Sequence, residues 1–134
     1  MDFKSKFSVF RTNWVNLLGI FIAVIFYAVI RAYSTMSFSL FQALTSGVIL
    51  VVLYGIIFWT GFIAALLITD FILLKDKSNL KVMLLIEWLI ISIPFIYWSI
   101  KYRQWIFLVA VIAFFFMQLL RNKILQESDN IFTV

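Results

Sequence analysis

The chain contains no cysteine and no histidine. Without cysteine it has no disulfide, no thiolate metal site and no cysteine nucleophile. Without histidine it lacks the commonest general base, the commonest metal ligand and the usual neutral-pH switch. Charge is scarce as well: charged residues make up 13% of the 134 positions. A soluble domain of this length needs far more polar surface than that. Proline occurs once, at Pro94. Catalytic signatures are missing too. There is no G-x-S-x-G, no phosphate-binding Walker loop, no G-x-G-x-x-G and no H-E-x-x-H. These absences point to a protein that is not an enzyme, with no cofactor and no metal.

What is present is hydrocarbon. The chain is 65% hydrophobic, with a mean hydropathy of +1.10. Apolar stretches of membrane-spanning length recur from end to end, the pattern of an all-α polytopic membrane protein. No stretch is long and polar enough for a second domain, so residues 1–134 read as one. The formal charge of +5 does not indicate nucleic acid. The basic residues stand singly or in pairs at the ends of apolar spans, where they set topology and meet lipid headgroups.

Phe3, Phe7, Phe10 and Trp14 recur at helical spacing on one stripe, with Lys4, Lys6 and Arg11 off it. That pattern predicts a short amphipathic helix over about residues 2–13, lying in the membrane interface. Four spans follow, over about residues 14–34, 46–74, 80–101 and 104–123, giving an up-down four-helix bundle. Ser39 and Gln42 have capping-box spacing and predict a helix starting at Leu40. Continued to Leu74, that helix would be about 52 Å long, so a break near Ser46-Gly47 or a tilt is expected. The short polar turn Lys75-Asp76-Lys77-Ser78-Asn79 makes the second and third spans antiparallel neighbours. Pro94 predicts a kink in the third span, with Ser92 satisfying the freed carbonyl.

Small and polar residues in spans face other helices. In the first span Asn16, Gly19, Ala23, Tyr27 and Ser34 share one side and are expected inward. Leu18, Phe21, Ile22, Ile25 and Val29 are expected toward lipid. In the second span Gly61, Ala65 and Thr69 form a small-residue ladder suited to close helix contact, and Asp70 points about 140° away from it.

The basic residues divide unevenly. Lys4, Lys6, Arg11, Lys75, Lys77, Lys81, Arg121 and Lys123 fall at one end of the spans, and only Arg31, Lys101 and Arg103 at the other. The positive-inside rule then places both termini and the middle turn in the cytosol. Richness in Phe and Ile fits the AT-rich codons of a low-GC bacterial genome, and the expected location is the bacterial cytoplasmic (inner) membrane.

One pattern carries chemistry. Asn16, Asp70, Glu87 and Gln118 lie at similar depths, about 5–9 Å inside the cytosolic ends of the four spans, and Arg121 lies one turn beyond Gln118. Polar groups inside spans normally face the bundle or a wet cavity. Three roles compete for this layer: hydrogen-bonded glue between helices, with Arg121 or Arg11 neutralising Glu87; a cation or proton site with Glu87 as the titrating group; or a docking surface for a partner. Asp70 is expected to be the weaker member, escaping toward water on an over-long helix. The leading reading is a non-enzymatic membrane subunit that oligomerises, or that anchors or signals to a partner protein, with stress and phage defence as a category. The alternatives are a small ion channel or proton-coupled transporter using Glu87, and a holin-like permeabilising effector. The bilayer, further copies of the chain and a protein partner are the expected contacts, and nucleic acid is not.

Overall fold

The structure, a computed structural model, describes residues 3–35, 37–73 and 79–133. Lys75 and Lys77 of the predicted turn lie outside the described residues, as do the side chains of Phe3, Lys4 and Lys6. The elements are α1 (Phe3–Thr35), α2 (Leu40–Ile49), a π-helical turn (Leu50–Tyr54), α3 (Ile56–Leu73), α4 (Leu80–Tyr102) and α5 (Trp105–Thr133). Among the described residues there is no strand. Among the described residues, three helices are long and apolar enough to cross a membrane, over Phe10–Thr35, Leu80–Tyr102 and Trp105–Ser128. A fourth crossing is formed if α2 and α3, bent by 55° about the π turn, act as one span.

Three boundaries differ from those read in the sequence, the last being that of α5, which runs to Thr133 and so well past the expected end of the fourth span near residue 123. Residues 3–35 form a single helix, with no break between the basic aromatic start and the first span. At 33 residues it is about 50 Å long, more than a hydrocarbon core of about 30 Å requires. Nothing in this stretch stops a helix, because it contains neither glycine nor proline before Gly19.

The break in the second span also lies elsewhere. The predicted capping box is present: Ser39 Oγ accepts from the Gln42 amide at 3.4 Å, and Gln42 Oε1 accepts from the Ser39 amide at 3.2 Å. The helix it starts runs through Ser46 and Gly47 and widens only at Leu50–Tyr54. Gly55 closes that wide turn, where a Cβ would collide with the Val51 carbonyl. The indole of Trp59 donates to the same carbonyl at 3.4 Å. Gly47 has another use: a Cβ there would sit 2.9 Å from Val29 Cγ2 and 3.2 Å from the Val29 amide, so its smallness lets α2 lie against α1.

The helices form a ring. α1 packs along α5, α5 along α4, α4 against α3 and α3 against α1, with α2 on the outside of α1. Each contributes a stripe at helical spacing to the axis: Ile20 and Val24 from α1, Phe62 and Leu66 from α3, Leu84 and Ile91 from α4, Phe114 and Leu125 from α5. Phe62 sits at the centre, edge-on to Trp59, Phe95 and Phe114 at 6.4, 6.0 and 5.3 Å. Leu18, Ile22, Phe26 and Ile30 face outward from α1. Phe21, Ile25 and Val29, expected toward lipid, are half-buried instead. Phe21 meets Trp59 edge-on at 5.7 Å, and Val29 is covered by α2. Ser34, expected inward, is exposed.

Candidate functional site

The polar layer read in the sequence assembles around Arg121, at the end of the ring where α3 leads out and α4 leads in. On each helix its polar residue continues the apolar core stripe. Asp70 follows Phe62 and Leu66 at four-residue steps, Glu87 lies between Leu84 and Ile91, and Gln118 and Arg121 lie between Phe114 and Leu125. All four side chains are therefore carried inward. Arg121 is wholly inaccessible and Glu87 is 1% exposed.

Arg121 is the hub. Its Nη2 donates to both carboxylate oxygens of Asp70, at 3.0 and 2.9 Å. Its Nη1 donates to Glu87 Oε2 at 3.2 Å, and its Nε donates to the Thr12 hydroxyl at 3.1 Å. One side chain of α5 thus ties α1, α3 and α4. Neutral donors complete the carboxylates. Asn13 Nδ2 donates to Asp70 Oδ2, and Gln118 Nε2 donates to Glu87 Oε2 at 2.9 Å. Thr69 Oγ1 lies 3.1 Å from Glu87 Oε1 and 2.8 Å from the Ala65 carbonyl, so its single proton serves one or the other. Charge-assisted bonds of this kind are stronger than neutral ones, and their partners' burial raises what is at stake.

Asp70 is a correction. Its expected escape toward water does not occur: it is 4% exposed and is ion-paired to Arg121 at 2.9 Å. The long helix is bent at the π turn, and α3 starts afresh at Ile56, which leaves Asp70 on the core side of its last full turn. Asn16 is wholly buried, as its place in the layer implies, yet neither polar atom of its amide meets a partner among the described residues. The same holds for Oδ1 of Asn13 and Oε1 of Gln118.

The packing residues divide. Gly19 sits where α1 meets α5, and a Cβ there would overlap Met117. Ala23, one turn on, is half-buried. Gly61 faces outward with nothing within 4 Å of where a Cβ would stand, while Ala65 is half-buried against the core and Thr69 is half-buried and reaches Glu87 of α4. Pro94 is exposed within an uninterrupted α4, and the Ser92 hydroxyl, expected to satisfy a freed carbonyl, makes no hydrogen bond.

Thr12 and Asn13 were not read as members of the layer. The signal was the buried face of α1: stepping back three or four residues from Asn16 lands on both. The basic and aromatic residues around them give that stretch the pattern of an interfacial helix, which masks its buried side.

No family model, curated protein or solved structure matches this chain.

Proposed function

We propose that this chain is a non-enzymatic integral membrane subunit, a rigid four-span scaffold with both termini in the cytosol, that assembles with further copies of itself or with a protein partner. The observation that carries this reading is the ion pairing at the centre of the Arg121 layer. Asp70, Glu87 and Arg121 are ion-paired inside one protomer, so the charged groups of the spans are used to hold helices together. Buried ionic groups of this type fix one arrangement of elements and mark a specified interior.

The same pairing weighs against the channel or transporter reading. A titrating or cation-binding Glu87 would need a wet path, and here it accepts from Arg121 and Gln118. Above it the axis is filled by Leu66, Ile91, Phe62 and Phe114, all buried. The assembly surface is sought on the outward part of α3, where Gly61 is flanked by exposed Ile57 and Ile68. Small outward residues in spans allow a second helix to come close.

Native mass spectrometry of the protein, expressed alone and together with its operon neighbours, tests the proposal. The expected result is an oligomer or a stoichiometric protein partner, and Gly61→Leu is expected to weaken it. A strictly monomeric chain with no co-purifying protein overturns the reading.

A further inference from the structure

The half of the bundle away from Arg121 holds a different feature. Among the described residues, the Cα atoms of α3 and α5 nowhere come within 8 Å of each other. In that space lies a cavity of about 240 Å³. Phe62 and Phe114 form its buried floor, and the exposed lining residues Leu50, Phe58 and Gln104 mark its mouth. Ile106 and Phe114 both line it, so it reaches about 12 Å along α5. Its walls are hydrocarbon and aromatic apart from Ser92 and Gln104. A dry apolar cavity of ~150 Å³ accepts benzene, so this one has room for about ten chain carbons.

The mouth has one sign of charge. The sequence holds six carboxylates, Asp2, Asp70, Asp76, Glu87, Glu127 and Asp129. None falls between residues 3 and 69 or between 88 and 126, the stretches that build this end. Arg31, Lys101 and Arg103 do fall here, and all three are exposed. Arg31 Nη1 donates to the mouth residue Gln104 at 3.5 Å. Lys101 lies over the rings of Tyr97 and Tyr102, at 5.6 and 5.5 Å from their centroids. Exposed Tyr102 and Trp105 flank the same turn, the side chains that sit at headgroup level in a bilayer.

We propose that this cavity binds one hydrocarbon chain of an anionic phospholipid, with the headgroup phosphate held at the rim by Arg31, Lys101 and Arg103. The apolar depth takes the chain, and the uncompensated cations select the head. The flanking Tyr102 and Trp105 set this mouth at a bilayer interface, where phospholipid is at hand.

The test is native mass spectrometry of the protein ejected from nanodiscs containing equal parts dioleoyl phosphatidylglycerol and dioleoyl phosphatidylcholine. The wild type is expected to retain one phosphatidylglycerol per chain. Replacing Arg31, Lys101 and Arg103 together by Gln is expected to cut the preference for phosphatidylglycerol at least about fivefold. Ala110→Trp, which fills the cavity from α5, is expected to cut retained lipid about tenfold. A second readout does not depend on that variant folding. Phosphatidylglycerol brominated in mid-chain should quench the emission that is lost in Trp59→Phe, because Trp59 lines the cavity. Wild type that retains no lipid, an unchanged preference in the Gln variant, equal retention by folded Ala110→Trp, or an unquenched Trp59 each overturns the proposal.

Discussion

Replacing Arg121 by Gln removes the only cation that the described residues place between Asp70 and Glu87. The hydrogen bonds that it gives Asp70, Glu87 and Thr12 go with it. Two carboxylates, 4% and 1% exposed, are left facing each other in a low-dielectric interior. Breaking one buried ion pair by removing a partner costs about 3–5 kcal/mol, mostly because a charge is left buried and uncompensated. Here one substitution uncovers two. Gln can still donate a neutral bond, which holds the expected loss near that range instead of doubling it. The triple variant Asp70→Asn, Glu87→Gln, Arg121→Gln removes all three charges, keeps the shapes of the two carboxylates as amides and shortens the side chain at 121. It is expected to recover most of the loss, because a neutral, hydrogen-bonded layer carries no desolvation penalty for ions. Reversible unfolding in mixed micelles, titrated with SDS and followed by circular dichroism, measures all three proteins. The reasoning is refuted if Arg121→Gln stays within about 1 kcal/mol of wild type, or if the triple variant is no better than the single one.

The remaining expectations are narrower. Asp70→Asn should destabilise more than Glu87→Gln, since Arg121 gives Asp70 two bonds and Glu87 one; the opposite order in the same titration contradicts the assigned geometry. Gly47→Leu should cost about 1–3 kcal/mol, because its side chain would drive into the backbone of α1 at Val29, whereas Gly61→Leu should leave protomer stability within about 0.5 kcal/mol. Equal effects in a thermal melt would rule out the close approach of α2 to α1. Gly55→Ala places a methyl group against the Val51 carbonyl and should reset the π turn. A changed emission from Trp59, which bonds that carbonyl, reads it out, and an unchanged spectrum counts against the turn.

Much of the frame was visible in the chain before any coordinates. Residue periodicity reveals an all-helical chain, and the capping box at Ser39 and Gln42 appears where its spacing puts it. That Glu87, Gln118 and Arg121 are buried together was within reach of the sequence, because Glu87 and Gln118 lie a short way inside basic span ends, one of which is Arg121 itself. The internal arrangement was not. Whether Arg121 points to Glu87, to Asp70 or to headgroups depends on helix rotation, and a stripe of mixed Phe, Leu and Ile faces constrains rotation weakly. Asp70 illustrates this: its depth was misjudged by treating residues 46–74 as one straight rod. The π turn that corrects it leaves little trace in an apolar run of Leu50, Val51, Val52 and Leu53. Only Gly55 hints at it, since glycine in a span admits many explanations. Thr12 and Asn13 were missed for a related reason. Basic residues and a clear aromatic stripe suggested an interface helix, although the opposite side of the same turns continues the buried face of Asn16.

The most direct test of the account is ion flux through the wild-type protein. Its central claim is that the Arg121 layer joins helices and is not a conduction site. Purified protein reconstituted into vesicles with an internal pH dye and an imposed potassium gradient should show proton and cation leak no greater than empty vesicles, with Glu87→Gln the same. Flux above that background that disappears in Glu87→Gln would contradict the claim and make Glu87 a transport residue.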